Sequence, residues 1–191
     1  GIGSRIKSPS VGLYVDNVPY FEKASFDFDF FDIKRVEVLR GPQGTLYGRN
    51  TMGGIINVFT KSPLNTQETS IKAGAGSYER YNAGLSHYNS IGGNFGYSVN
   101  LNYLNEGGYF ENTFRDEKAD DLESFGGRTN LVYQVNENLS FENIINYEKS
   151  KQNAYPYAEY DLENQQIMDI NYNQHSYYNR DMFSDGLVTK Y

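Results

Sequence analysis

The stretch from Val36 to Lys61, VEVLRGPQGTLYGRNTMGGIINVFTK, limits the possible folds of this chain more than any other. Val36, Val38 and the run Ile55, Ile56, Val58 and Phe59 are β-forming residues. The second run is too continuous for a strand with one wet face and suits burial on both. Both strands are therefore expected inside a larger body. Between them Gly41-Pro42 stops the first strand, Gly44 and Gly48 open backbone angles closed to other residues, and Gly53-Gly54 permit close approach before the second begins. The linking segment is a compact, Gly-rich, helix-prone hinge.

Other Gly-rich loops fit it poorly. A phosphate-binding loop needs Lys-Ser/Thr after its last Gly, and here Arg49-Asn50 follow Gly48. Gly41-Pro42-Gln43-Gly44 has the spacing of an RNA-clamping GxxG loop, but that module needs flanking helices and gains from basic charge. With 17 basic against 24 acidic residues, formal charge −7, a nucleic-acid partner is not expected. Cysteine is absent, which removes disulfides and thiolate metal sites. No uninterrupted apolar run reaches the ~18 residues of a transmembrane helix, a test to which β-barrels are blind.

Beyond Pro63 the period changes to two. Phe95, Tyr97, Val99, Leu101 and Tyr103 alternate with Gly96, Ser98, Asn100 and Asn102, as expected when one face meets lipid and the other water. Phe125, Leu131, Tyr133 and Val135 oppose Arg128, Asn130 and Gln134; Leu139, Phe141, Ile145 and Tyr147 oppose Ser140, Glu142, Asn146 and Glu148. Tyr81, Ala83 and Leu85 against Asn82, Gly84 and Ser86 form a weaker copy, and Thr69 to Gly76 a plausible first strand. A soluble sandwich has the same period, but the connections separate the two. They run Ser77–Arg80, Asn89–Asn94, Asn105–Leu122, Asn136–Asn138 and about Ser150–His175, so turns stay short at one end and lengthen at the other. Outer-membrane barrels show that asymmetry. The 18 Tyr and 12 Phe, with no Trp, favour the same environment.

The hinge sequence resembles the end of the plug domain of TonB-dependent outer-membrane receptors. Upstream, Gly1-Ile2-Gly3-Ser4-Arg5 is similar to that family's RGIGSR segment, Val11 to Pro19 to its VGVYVDGVP strand and turn with Asn17 for Gly, and Phe30 to Arg35 to its lead-in with Lys34 for Glu. Asn tolerates left-handed angles, so the turn survives the exchange. The resemblance implies an all-β-dominated protein: a partial α/β plug over residues 1–63, then over 64–191 about six antiparallel strands of a 22-stranded transmembrane barrel. Since 22 strands of ~9–11 residues consume ~200–240 residues, it also implies a piece of a longer protein, its energy-coupling TonB box lying before Gly1.

By the same resemblance Arg40, Gly41, Pro42, Gly44, Tyr47, Gly48, Gly53 and Gly54 form the plug signature, with Arg40 pairing barrel carboxylates outside this chain. The implied function is energised import of a scarce nutrient, a ferric siderophore first, with cobalamin, haem, oligosaccharide or a non-transport adhesive barrel as alternatives. Implied partners are TonB, outer-membrane lipid and lipopolysaccharide, and the small ligand, around a monomeric barrel in a Gram-negative outer membrane.

The long connections hold the remaining candidates. Glu106, Glu111, Asp116, Glu117, Asp120, Asp121 and Glu123 crowd the first, and either a solvated loop or divalent-cation binding suits them, although the calcium-loop spacing is absent. Tyr155, Tyr157 and Tyr160 in the second are candidate platforms for a ring-bearing ligand, with interface-girdle tyrosines as the competing reading. No catalytic, cofactor or metal residues are assigned. His87 and His175 lack metal-site spacing, a packed or lumen-facing role being expected for His87, and Asp27, Asp29 and Asp32 read as surface charges between Phe26, Phe28, Phe30 and Phe31.

Overall fold

The computed structural model describes residues 10–20, 33–48, 51–153 and 157–191. Two sheets dominate it. The smaller contains β1 (Val11–Val15), β2 (Val18–Tyr20), β3 (Ile33–Arg40) and β4 (Gly54–Thr60) in the order β2-β1-β4-β3, with β1 and β4 parallel and the other pairs antiparallel. A single helical turn, α1 (Gly44–Tyr47), fills the hinge between β3 and β4.

The Gly-rich hinge behaves as its sequence requires. Gly54 has φ +139°, and a Cβ there would lie 2.4 Å from the Leu39 carbonyl oxygen, so β3 and β4 pair this closely only with glycine. Asp16 and Asn17 both adopt positive φ, 48° and 68°, forming the type I′ turn that matches the twist of a two-residue hairpin. As expected, β4 is the buried central strand, with Ile55 and Val58 enclosed. β3 departs from expectation: it is the sheet edge, and Val38 is 63% exposed, because no described element covers its outer face.

The larger sheet is an antiparallel meander of β5 (Glu68–Gly76), β6 (Arg80–Ile91), β7 (Phe95–Glu106), β10 (Leu122–Gln134), β11 (Ser140–Asn153) and β14 (Tyr177–Lys190), paired in that order. It has six strands. The strands run further than the pattern suggested, to Ile91 in β6 and Asn153 in β11. The long connections are not bare loops: each carries a small hairpin, β8 (Glu111–Asn112) with β9 (Glu117–Lys118), and β12 (Tyr160–Asp161) with β13 (Gln166–Ile167).

Register fixes the faces. Every paired position joins even to even and odd to odd, so even-numbered residues of all six strands share one face. That face is polar and largely covered: Ser86, Ser98, Asn100, Arg128, Asn130, Glu142, Asn146 and Glu148 are buried. The odd face is apolar and open, with Leu101, Tyr103, Phe125, Leu131, Tyr133, Phe141, Tyr147, Phe183 and Leu187 exposed. This inverts the usual order of a soluble protein and is the arrangement of a lipid-facing barrel wall. Phe95, Tyr133 and Phe141 make one aromatic row; Tyr103 and Phe125 make another eight residues on, about 27 Å of tilted strand away. The apolar band of such barrels is about 25 Å tall, with aromatic girdles at both rims.

Candidate functional site at the seam between the sheets

The small sheet lies against the polar face of the large one, and the β1–β2 hairpin makes the closest contacts. Asp16, at its tip, accepts 2.8 Å hydrogen bonds from the Thr60 amide and the Thr60 hydroxyl. It also pairs with the Arg128 guanidinium of β10. The side chains of Arg128 and Asp16 are 7% and 10% exposed. One carboxylate thus ties the hairpin, the last residue of β4 and the wall.

Apolar contacts flank this pair. Leu13, Val15, Tyr20 and Val58 form the small sheet's core, and Met182 of β14 packs onto it. Burial pushes the Tyr20 phenol above its ordinary range, and Ser184 on β14 pulls it back. A Cβ on Gly186 would come 2.5 Å from Val18 Cγ2, and one on Gly96 within 2.7–3.0 Å of the Pro63–Leu64 backbone. Glycines in the wall therefore set how closely the small sheet and its exit segment approach.

Further polar contacts extend along the wall. Arg180 pairs with Glu148, Lys190 donates to Glu142 at 2.6 Å, and Asn130 donates to the same carboxylate at 2.8 Å. Towards the long loops a recess of about 370 Å³ opens on the even face, lined in part by Arg80, Asn102, Ser124, Glu148, Tyr178 and Arg180.

The sequence candidates are distributed differently. Gly41, Pro42, Gly44, Tyr47, Gly48, Gly53 and Gly54 come together around α1. The Tyr47 carbonyl accepts from the Tyr14 hydroxyl and the two rings meet edge to face at 5.2 Å. Gln43 N–H donates to the Thr51 carbonyl and Gly53 N–H to that of Ser10, closing the hinge onto β1. Arg40 ends β3 in an exposed position, and among the described residues no carboxylate pairs with it. The ion pair between the sheets has the opposite polarity to the one expected at Arg40: carboxylate on the small sheet, guanidinium on the wall.

Tyr157 and Tyr160 are exposed in the last long connection and do not line the recess; Tyr155, the segment Gly1 to Arg5, and Asp27, Asp29 and Asp32 lie outside the described residues. His87 faces the odd, outer side, against the lumen-facing reading, and its ring nitrogens meet Thr69 Oγ1 at 2.8 Å and Tyr97 Oη at 3.3 Å. Two carboxylates of the acidic loop are engaged locally. Asp120 accepts from the Tyr109 and Phe110 amides, and Glu117 accepts from Arg115, whose guanidinium holds that carboxyl below its usual range.

A mixed sheet seated through a buried ion pair on the polar face of an inside-out antiparallel wall defines a class: a β-barrel wall with an internal plug. Comparison with known proteins agrees. Residues 1–55 match the TonB-dependent Receptor Plug Domain. The chain is 45% identical over 74 residues to the pesticin receptor of Yersinia pestis, covering 39% of this chain and 11% of that protein. To the vitamin B12 transporter BtuB of Vibrio cholerae it is 28% identical over 158 residues, 75% of this chain and 26% of that protein. The crystal structure of the ferric yersiniabactin uptake receptor FyuA from Y. pestis superposes with a TM-score of 0.82 at 28% identity, over 97% of this chain and 30% of that one. The chain carries the plug and barrel-strand architecture of TonB-dependent receptors, and it spans less than a third of the length of each of these relatives. They are receptors and transporters rather than enzymes.

Proposed function

We propose that this chain is the plug exit and the first wall strands of an energised outer-membrane importer, and that its cargo is a ferric siderophore. The observation carrying the proposal is the seam itself. A plug held by ions, amides and hydroxyls around Asp16 and Arg128 is seated in a form that water and a pulling partner remodel, where a continuous apolar core would hold it permanently. On this reading residues 1–63 are plug and 64–191 wall, further strands complete a monomeric 22-stranded barrel in a Gram-negative outer membrane, and lipopolysaccharide surrounds it. Cargo bound in the recess above the seam shifts the plug, and TonB, powered by the inner-membrane proton gradient, draws on it from the periplasm.

An iron chelate is favoured over vitamin B12 because the likeness to a ferric-siderophore uptake receptor extends over nearly the whole chain. Uptake of iron-labelled siderophores by iron-starved cells carrying or lacking the full-length gene, with and without a proton uncoupler, tests the proposal. Uptake requiring both gene and gradient supports it. Unchanged uptake, with labelled cobalamin or haem transported instead, overturns the cargo.

A further inference from the structure

Arg128 is only half satisfied at the seam. Its Nη2 pairs with Asp16, yet its Nε and Nη1 are enclosed and have no hydrogen-bond partner among the described residues. A buried guanidinium with two idle donors is costly, because water has been stripped from N–H groups that no acceptor has replaced. Such a group moves readily to a second acceptor within reach.

One stands close by. Asn146 is directly opposite Arg128 on β11, and Glu148 is the next inward residue beyond it, one diagonal step across the ladder. Diagonal steps already join polar side chains on this face: Asn130 donates to Glu142 at 2.8 Å, Lys190 donates to the same carboxylate at 2.6 Å, and Arg180 pairs with Glu148. They run in both directions along the strands, so a side chain as long as arginine spans this one. Glu142 stands further along β11 and already accepts from two donors. The charges of Arg128, Asp16 and Glu148 are all felt at the Tyr20 phenol of the plug hairpin. Arg180 holds Glu148 in the seated plug, and both line the recess above the seam.

We propose that Glu148 is the second acceptor for Arg128: as the plug leaves its seat, the guanidinium passes from Asp16 to Glu148. Unseating then exchanges one ion pair for another and leaves no bare charge on the wall, the state that makes breaking a buried pair so unfavourable. Arg180 governs the exchange because it competes for the same carboxylate. An anionic group of the cargo that engages Arg180 in the recess frees Glu148 and loosens the seat. The assignment rests on the plug-and-wall reading above. It makes Glu148 a positioning residue for plug release, with an effect opposite in sign to that of a structural ion pair, whose loss loosens what surrounds it.

The test follows amide hydrogen exchange over residues 11–20 in the full-length receptor, folded in liposomes without cargo, since exchange there tracks opening of the hairpin from its seat. Arg180→Gln is expected to speed exchange about fivefold, and Glu148→Gln combined with Arg180→Gln to slow it about fivefold below wild type, the scale of a hydrogen bond to a charged group gained or lost by the open state. Arg180→Met replaces Arg180→Gln if the paired variant does not fold, as judged by heat-modifiable gel migration. In an Arg128→Met background, adding Glu148→Gln to Arg180→Gln is expected to change exchange by less than about twofold, as for independent sites. Faster exchange in both variants, or an effect of Glu148 that persists without Arg128, overturns the exchange of partners and leaves the import reading standing. A wild-type hairpin that exchanges as freely as an unfolded peptide refutes the plug seat itself, and this proposal with it.

Discussion

The Asp16 carboxylate at the tip of the plug's first hairpin is ion-paired with the Arg128 guanidinium of the fourth wall strand, and both side chains are buried. Residues 112 positions apart in sequence thus meet across the plug–wall seam. The remaining Asp16 bonds go to Thr60, the last residue of the plug's central strand.

Removing one partner leaves a buried charge without its counterpart. Asp16→Ala in the full-length receptor is expected to weaken plug seating by about 3–5 kcal/mol, and Asp16→Ala with Arg128→Met to recover part of that loss. Limited proteolysis of the plug in folded barrels reads the difference. Equal protease resistance in the single and wild-type proteins would contradict it.

The wall glycines act sterically. Gly96→Val pushes into the Pro63–Leu64 backbone, which has little freedom to retreat, so the exit segment is expected to detach from β7. Gly186→Ala collides with the Val18 side chain, and Val18→Ala in the same protein should relieve it. Amide hydrogen exchange over residues 60–67 and 11–20 measures the two effects separately.

Charge placement separates the two faces. Leu101→Arg points a guanidinium at lipid between the midplane and the upper aromatic girdle and is expected to cost about 1–3 kcal/mol, whereas Asn102→Arg, one residue on, faces the polar recess and costs far less. Denaturant unfolding from liposomes compares them.

The plan of the wall is legible in the sequence because β7, β10 and β11 alternate over most of their length, with Leu104, Val132 and Ile144 as apolar exceptions at inward positions, and a period of two admits only one assignment of faces. The hinge is legible because Gly54 occupies a position that admits no side chain. β14 is harder to read: Asn179, Asp181 and Asp185 interrupt its outer face, and Asp185 is partnered by Asn143 at 2.7 Å, a contact that only pairing creates. The two-residue strands within the long connections carry no periodicity at all. Asp16 and Arg128 were each visible, one as an ordinary turn acid and the other as one of β10's polar positions. The signal available was that Arg128 is the single charged residue among the inward positions of β10; its partner follows only from the fold.

The long connections dock on each other near Glu117, which accepts from Arg115 at 2.5 Å and approaches His175 at 3.3 Å. Its folded pKa lies below the ordinary 4.5, chiefly through the Arg115 hydrogen bond. A lowered carboxylate pKa contributes stability that is complete above the ordinary value and disappears as pH falls through the folded one. Hydrogen exchange in residues 107–121 is therefore expected to accelerate below about pH 4.5, and Glu117→Gln to show the faster exchange already at neutral pH.

The central claim is that one wall separates lipid from plug, odd residues outward and even residues against the seam. Nitroxide labels placed singly at residues 95–103 of the full-length receptor in liposomes test it most directly, by their accessibility to lipid-soluble oxygen and to a water-soluble nickel complex. The account predicts oxygen accessibility at 95, 97, 99, 101 and 103, and shielding from both reagents at 96, 98 and 100, the last becoming accessible to nickel when the plug is deleted. Accessibility to nickel on both faces without a membrane, or oxygen accessibility at the even positions, would contradict it.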